Sequence, residues 1–347
     1  MYGVLAGRTA LAAVSAAMVL TMAGGCSQED PQSSPTEREG AGQSQKHRRS
    51  TGVYWVNPDG SAARQERAFR SAGQAREAKL IARIADRPAA EWLGTDNARG
   101  EARGFTQAAA REGKTALLVL YNLPHRDCGQ YSRGGAADGD AYRAWLDGVL
   151  EGIGKRSATV VVEPDALPHL LQQGCTPAEF HEERYALLKE AVVRLKELPR
   201  TKVYLDAGNP GFGPDPGALV AGLRRAGIEQ ADGFSVNVSN FYTTAASREY
   251  GIRLSGLLGG SPHFVIDTSR NGNGPWRGSG DGGDDETWCN PPGRALGEAP
   301  TVETGEELVD AYLWIKRPGE SDGTCKGGPQ AGRWWPQYAL QLAGNAG

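Results

Sequence analysis

Thr159-Val160-Val161-Val162-Glu163-Pro164-Asp165 carries an unbroken apolar, β-branched run straight into two carboxylic acids. A run that is apolar on both faces suits a strand covered from both sides, as in a parallel sheet. The same design recurs outward from it. Val53–Val56, Thr115–Tyr121, Lys202–Leu205, Gly233–Val238, His263–Ile266 and Ala311–Ile315 read as further strands. Helical patterns lie between them. Tyr142 to Ile153 is one; Thr176-Pro177-Ala178-Glu179 reads as the start of another, with Thr as N-cap, Pro at the first helical position and Glu at the third. Phe180, Leu187, Leu188, Ala191, Val192 and Leu195 follow at helical spacing. Alternating strand–helix units imply a parallel sheet. Their number fits a (β/α) barrel better than an open sheet, which makes the fold class α/β.

The composition narrows the partners. The 347 residues include 38 Lys+Arg against 41 Asp+Glu, a net charge of -3, so nothing concentrates positive charge for a polyanion and no nucleic-acid partner is expected. Hydrophobic residues at 39% and charged residues at 23% suit a globular chain able to bury a core. No apolar run reaches the roughly 20 residues of a membrane helix. Residues 1–25 read instead as an export signal: Arg8, then a small and apolar run from Thr9 to Met22, then Ala23-Gly24-Gly25 before Cys26. That ending resembles a bacterial lipobox, with Cys26 as the lipidated residue and the outer face of the membrane, or secretion, as the destination. Residues 26–50 read as a disordered tether and 51–347 as the catalytic domain. Cys128, Cys175, Cys289 and Cys325 form an even set in an oxidising compartment, which suggests two disulfides among three possible pairings. Their spacing is no zinc pattern, and neither a metal nor a cofactor is expected.

The strand ends carry the chemistry. The runs lead to Arg126-Asp127-Cys128, Glu163-Pro164-Asp165, Asp206-Ala207-Gly208, Asp267-Thr268-Ser269-Arg270, and Lys316 followed by Glu320 and Asp322. In (β/α) barrels the strand C-termini form the active face. A single acid there is commonly a helix cap; five strands ending so, without a phosphate loop or a nucleophile pattern, point to carboxylate chemistry. Glycosidic hydrolysis by an acid–base pair is one form of it, and an oxygen-ligand metal site is the other. Arg126, Arg270 and Lys316 among the acids would compete with a cation and disfavour the metal. Trp55, Trp92, Trp276, Trp288, Trp334 and Trp335 lie in or near Gly/Pro-rich segments, where indoles can stack on sugar rings.

These motifs together resemble glycoside hydrolase family 6. The resemblance rests on Tyr121-Asn122-Leu123-Pro124-His125-Arg126-Asp127-Cys128 with Tyr131-Ser132-Arg133-Gly134-Gly135, on Glu163-Pro164-Asp165-Ala166-Leu167, and on Leu205-Asp206-Ala207-Gly208. It continues through Asp267-Thr268-Ser269-Arg270-Asn271-Gly272, Trp288-Cys289-Asn290-Pro291-Pro292-Gly293-Arg294, and Trp314 to Gly323. It runs from Val53 to Gln341 and implies a distorted, incomplete TIM-like barrel and inverting cellulase activity. By resemblance, Asp165 is the general acid, with Asp127 beside it to hold its pKa up and move a proton through water. Asp322 stands at the position proposed as general base, with Arg270 paired to it. Tyr121 presses on the distorted sugar, and Ser132 helps place the attacking water. Asp206 shapes the cleft and its charge; Asn209, Asn290, Lys316 and Glu320 contact sugar, and Trp92 and Trp288 stack on it. Arg126, Asp267 and Arg270 are structural and electrostatic. Cys128–Cys175 and Cys289–Cys325 are the implied disulfides. Asn209 and Phe212 stand where the family often has His and Trp, which implies altered binding on the leaving-group side.

The expected activity is therefore an endo-β-1,4-glucanase on cellulose-like glucans, monomeric, with an open cleft because the stretch from Trp288 to Ala311 is too short for a long lid. The alternatives are a cellobiohydrolase of the same family and a non-catalytic oligosaccharide-binding lipoprotein.

Overall fold

A computed structural model describes residues 52–211, 215–278 and 286–347. The export signal, the tether, Cys26 and Phe212 lie outside the described residues. The order of elements is α1 (Ser61–Ser71), α2 (Ala75–Ala85), β1 (Glu91–Leu93), α3 (Ala98–Arg111), β2 (Ala116–Leu120), α4 (Gly139–Ile153), β3 (Ala158–Val162), α5 (Pro168–Leu171) and α6 (His181–Lys196). β4 (Thr201–Asp206), α7 (Gly217–Arg225), β5 (Gly233–Val236), α8 (Thr244–Leu257), β6 (His263–Asp267), β7 (Val309–Leu313) and α9 (Pro336–Asn345) follow.

The strands form one seven-stranded parallel sheet in chain order, β1 to β7. Side chains alternate across it. Leu117, Val119, Val161, Tyr204, Val265, Ala311 and Leu313 pack together with Tyr54, Ala90 and Ile315 as the filling of the curled sheet. Their neighbours Leu118, Leu120, Val160, Val162, Val203, Leu205, Phe264 and Ile266 pack outward on Leu146, Val149, Leu187, Leu188, Leu223 and Leu254 of the helices. Both faces are buried, as the uninterrupted apolar runs require. The curl does not close by a ladder between β1 and β7 among the described residues. The seam carries instead a hydrogen bond from Ala90 N–H to the Trp314 carbonyl at 3.0 Å and one from Trp92 Nε1 to the Ile315 carbonyl at 2.8 Å. Ile81, Ile84, Leu296, Trp314, Tyr338 and Leu342 pack there, on α2 and α9. The fold is thus an α/β, incomplete barrel.

Some local expectations are corrected. Val53–Val56 is not a strand; it gives one parallel bridge, Tyr54 to Thr115, before Asn57-Pro58-Asp59-Gly60 turns the chain into α1. β1 is an unexpected strand, its three residues too few to show a pattern. β7 spans Val309–Leu313, and Trp314 and Ile315 leave the ladder at the seam. Thr176 does not cap α6: Pro177 is extended, a 3₁₀ turn covers Ala178–Phe180, and the Thr176 hydroxyl is buried without a hydrogen bond. The helix starts at His181, whose Nε2–H donates to the Thr176 carbonyl at 2.8 Å. Among the described residues no helix is long and apolar enough to cross a membrane.

Candidate active site

The loops that leave the strand C-termini hold an unusual backbone. His125, Asp127, Cys128, Glu163, Asp165, Ser239 and Asn290 all have φ between 45° and 68°. Non-glycine residues occupy this left-handed region only where their surroundings hold them there, and functional sites collect such strain. Three of them, Asp127, Asp165 and Ser239, line a cleft of about 660 Å³. Tyr121, Arg126, Asp127, Ser132, Asp165 and Asp322 line it. So do Trp92, Asn209, Trp288, Lys316 and Glu320.

On one wall stand Asp165 and Asp127. Asp165 sits half-buried on the loop after β3. Burial first, and then the charge of Asp127, push its carboxyl up to about 7. Its backbone N–H donates to Oδ2 of Asp206 at 2.9 Å. Asp206 ends β4 beneath the cleft, 2% exposed, where it also accepts from Gly208 N–H and the Ser235 hydroxyl. Burial and then Asp165 raise it as well, against those donors. Asp206 thus supports Asp165 from below and is not among the cleft-lining residues. Asp127 accepts the Ser132 N–H at 2.6 Å, and burial lifts its pKa. The Cys128–Cys175 disulfide ties its loop to the segment after α5. Arg126 lies over the Tyr121 ring at 4.6 Å and donates to the Ser132 carbonyl at 2.9 Å, which fixes the arc from Tyr121 to Ser132.

The opposite wall treats its acid in the reverse way. Arg270, 0% exposed, donates from Nη1 to both oxygens of Asp322, at 2.9 and 2.8 Å. Lys316 Nζ lies 3.3 Å away and Asn290 N–H donates at 3.0 Å. Burial would raise Asp322, but Arg270 and then Lys316 outweigh it and hold the carboxyl below its ordinary value. Asn290 serves this wall rather than the cleft surface. Its Oδ1 accepts from Asp322 N–H at 2.9 Å, and its Nδ2 donates to the Ser321 hydroxyl and the Gly323 carbonyl. Asp267 is a hub below: it accepts N–H groups of Ser239, Ser269, Ile315 and Lys316, so it joins the loops after β5, β6 and β7. The Cys289–Cys325 disulfide brackets Asn290 and Asp322.

The rest of the cleft is amphipathic. Trp92 packs edge-on to Tyr121 at 5.2 Å, and Glu320 pairs with Arg317 at 2.9 Å. Tyr131 reaches across from the β2 loop, donating its hydroxyl to Glu286 at 2.9 Å with its ring 6.0 Å from Trp288. His169, Trp276, Asn240, Tyr242 and Arg317 also line the cleft. No sequence motif assigns a role to His169, although it lies one helical turn after Asp165, whose carbonyl accepts its backbone N–H at 2.9 Å. Its ring is driven down to about 4 by burial and so is neutral near pH 7. Two groups of potential cation ligands occur among the described residues, Cys128, His169 and Cys175, and Glu286, Cys289 and Cys325. In each, the two cysteines are bonded to each other and offer no thiolate.

The curled parallel sheet thus carries two oppositely tuned carboxyls in one aromatic-lined cleft, and comparison with known proteins gives the class. Residues 49–346 match the model of glycosyl hydrolases family 6, and the chain belongs to that family. Endoglucanase A of Cellulomonas fimi is 42% identical over 300 residues, 85% of this chain; the chain spans 62% of that protein's length. Endoglucanase 1 of Streptomyces halstedii is 41% identical over 84% of this chain and 88% of its own. Among solved structures, the endoglucanase Cel6 from Mycobacterium tuberculosis, in complex with methyl-cellobiosyl-4-deoxy-4-thio-β-D-cellobioside, is 43% identical with a TM-score of 0.77 over 86% of this chain and 98% of that one. The catalytic core domain of the cellobiohydrolase Cel6A from Chaetomium thermophilum is 26% identical with a TM-score of 0.70, over 85% and 98%.

Proposed function

We propose that this protein is an inverting endo-β-1,4-glucanase in which Asp165 protonates the departing glycosidic oxygen. The observation that carries the reading is the opposed electrostatics of one cleft: Asp165 raised to about 7 on one wall, Asp322 held ionised on the other. Two carboxyls driven apart in this way can serve as a proton donor and an ionised partner. Asp322 stabilises the oxocarbenium-like charge on the sugar ring. Water placed near Ser132 attacks the anomeric carbon from the face opposite the leaving group and gives its proton to Asp127 or to Asp322; azide rescue of Asp127→Ala and Asp322→Ala separates these routes. Tyr121 bears on the ring, and Trp92, Trp288, Asn209, Lys316 and Glu320 bind the flanking units. Endo action is supported by the two endoglucanase relatives above 40% identity. The hydrogen bond from cleft-lining Tyr131 to Glu286, which ties the β2 loop to the segment before Trp288, favours the exo alternative. A fast loss of viscosity per reducing end released from carboxymethylcellulose is expected for endo action, and a slow one would establish exo action. NMR of the first product is expected to show the α-anomer. Export with a lipid on Cys26 completes the proposal; Cys26→Ser is expected to release the protein from the membrane fraction.

A further inference from the structure

Two buried groups beneath the cleft floor have no part in the chemistry proposed above. Glu163 is 1% exposed and Arg184, on α6, is 3% exposed. Glu163 accepts the N–H of Asn122 at 3.0 and 3.1 Å and that of Leu123 at 3.0 Å. Arg184 donates from Nη2 to the carbonyls of Pro124 at 3.2 Å and His125 at 2.8 Å, and from Nη1 to that of Ala166 at 3.1 Å. A buried arginine ordinarily pairs with a carboxylate. Among the described residues Arg184 forms no ion pair; its donors go to three loop carbonyls.

Those carbonyls are placed with purpose. Ala166 follows Asp165, and His125 lies two residues before Asp127. The four residues 122–125 are thus gripped by their donors from Glu163 and by their acceptors from Arg184. Glu163 itself belongs to the Asp165 loop. His125, Asp127, Glu163 and Asp165 all carry positive φ, which the free chain would relax. The His125 ring stacks on Phe180 at 4.0 Å, so the same loop is also seated on the approach to α6. We infer that Glu163 and Arg184 form a brace that sets the approach of the Asp127 loop to the Asp165 loop, and that both are positioning residues for the acid. The inference rests on the glucanase reading.

The brace is separable from mere stability by the pH profile of kcat. Asp165 is faced by Tyr121 and Asp127 from the β2 loop and by Asp206 from β4; Asp127 is faced in turn by Arg126 and His169, and Tyr121 by Arg126, Glu163 and Arg184. When Asp127 is free to withdraw, Asp165 loses its proton more readily and the upper limb moves to lower pH. Arg184→Met, Arg184→Lys and Glu163→Gln are compared with the wild type and Asp165→Asn on soluble β-glucan, together with Tm. The expected result is a roughly 10- to 100-fold fall in kcat per folded molecule, KM within about threefold, and an upper limb displaced to lower pH. Should Arg184→Met fail to fold, the two milder variants decide. Folded Arg184→Lys and Glu163→Gln with unaltered kcat and an unmoved upper limb would overturn the brace while leaving the glucanase reading intact. An inactive wild type, or an active Asp165→Asn, would overturn that reading and the brace with it.

Discussion

Arg270 and Asp322 form a buried ion pair in which one guanidinium nitrogen meets both carboxylate oxygens, at 2.9 and 2.8 Å. The pair is held in turn: Arg270 also donates to the Ser239 carbonyl at 2.6 Å and lies 4.3 Å over the Phe241 ring. Removing one partner of such a pair leaves an uncompensated buried charge, at a cost of about 3–5 kcal/mol. Arg270→Met is therefore expected to lower stability by that order in urea unfolding. Arg270→Lys keeps the charge but loses the two-oxygen contact, so Asp322 should protonate at higher pH and the lower limb of kcat/KM should move up.

The Asp165 side of the cleft gives the opposite test. A general acid contributes about 10²- to 10⁴-fold. Asp165→Asn is expected to lose activity on carboxymethylcellulose by a factor in that range while still binding cello-oligosaccharides by calorimetry.

Asp165 also leaves a mark on stability. Its folded pKa, about 7, lies above its ordinary value, so the folded state holds a proton that the unfolded chain releases. Stability conferred by the proton is complete below the ordinary aspartate range and is lost as pH rises through about 7. Asp165→Asn needs no proton. Relative to the wild type its Tm should be higher by several degrees at pH 8, and the difference should disappear near pH 3.

Cys128 follows Asp127 directly, and its bond to Cys175 spans 47 residues. Loss of a disulfide of this kind costs about 2–4 kcal/mol. Cys175→Ser is expected to lower stability by that amount and to reduce kcat more than it alters KM, because Asp127 loses one of its anchors.

Much of this was legible in the residues. β2 to β6 announce themselves because strands buried on both faces must be apolar throughout, and the acids that follow them fall on the active face. β1 was not legible, since Glu91-Trp92-Leu93 is held by the seam and by Trp92, not by a pattern of its own. Thr176 presents a cap signal that the extended Pro177 defeats. Arg184 was invisible for another reason. An arginine on a helix ordinarily faces water, and nothing local reveals that three carbonyls from two distant loops await it. The resemblance assigns Asn290 to sugar contact and Asp206 to the shape and charge of the cleft; in the fold the Asn290 side chain accepts from Asp322 N–H and that of Asp206 from Asp165 N–H.

The protonation of Asp165 can be read directly by ¹³C-carboxyl NMR titration of the wild type and of Asp127→Asn. A wild-type Asp165 signal that titrates near pH 7, moving to lower pH when the Asp127 charge is removed, is the expected result. Titration in the ordinary aspartate range, indifferent to Asp127, would contradict the account.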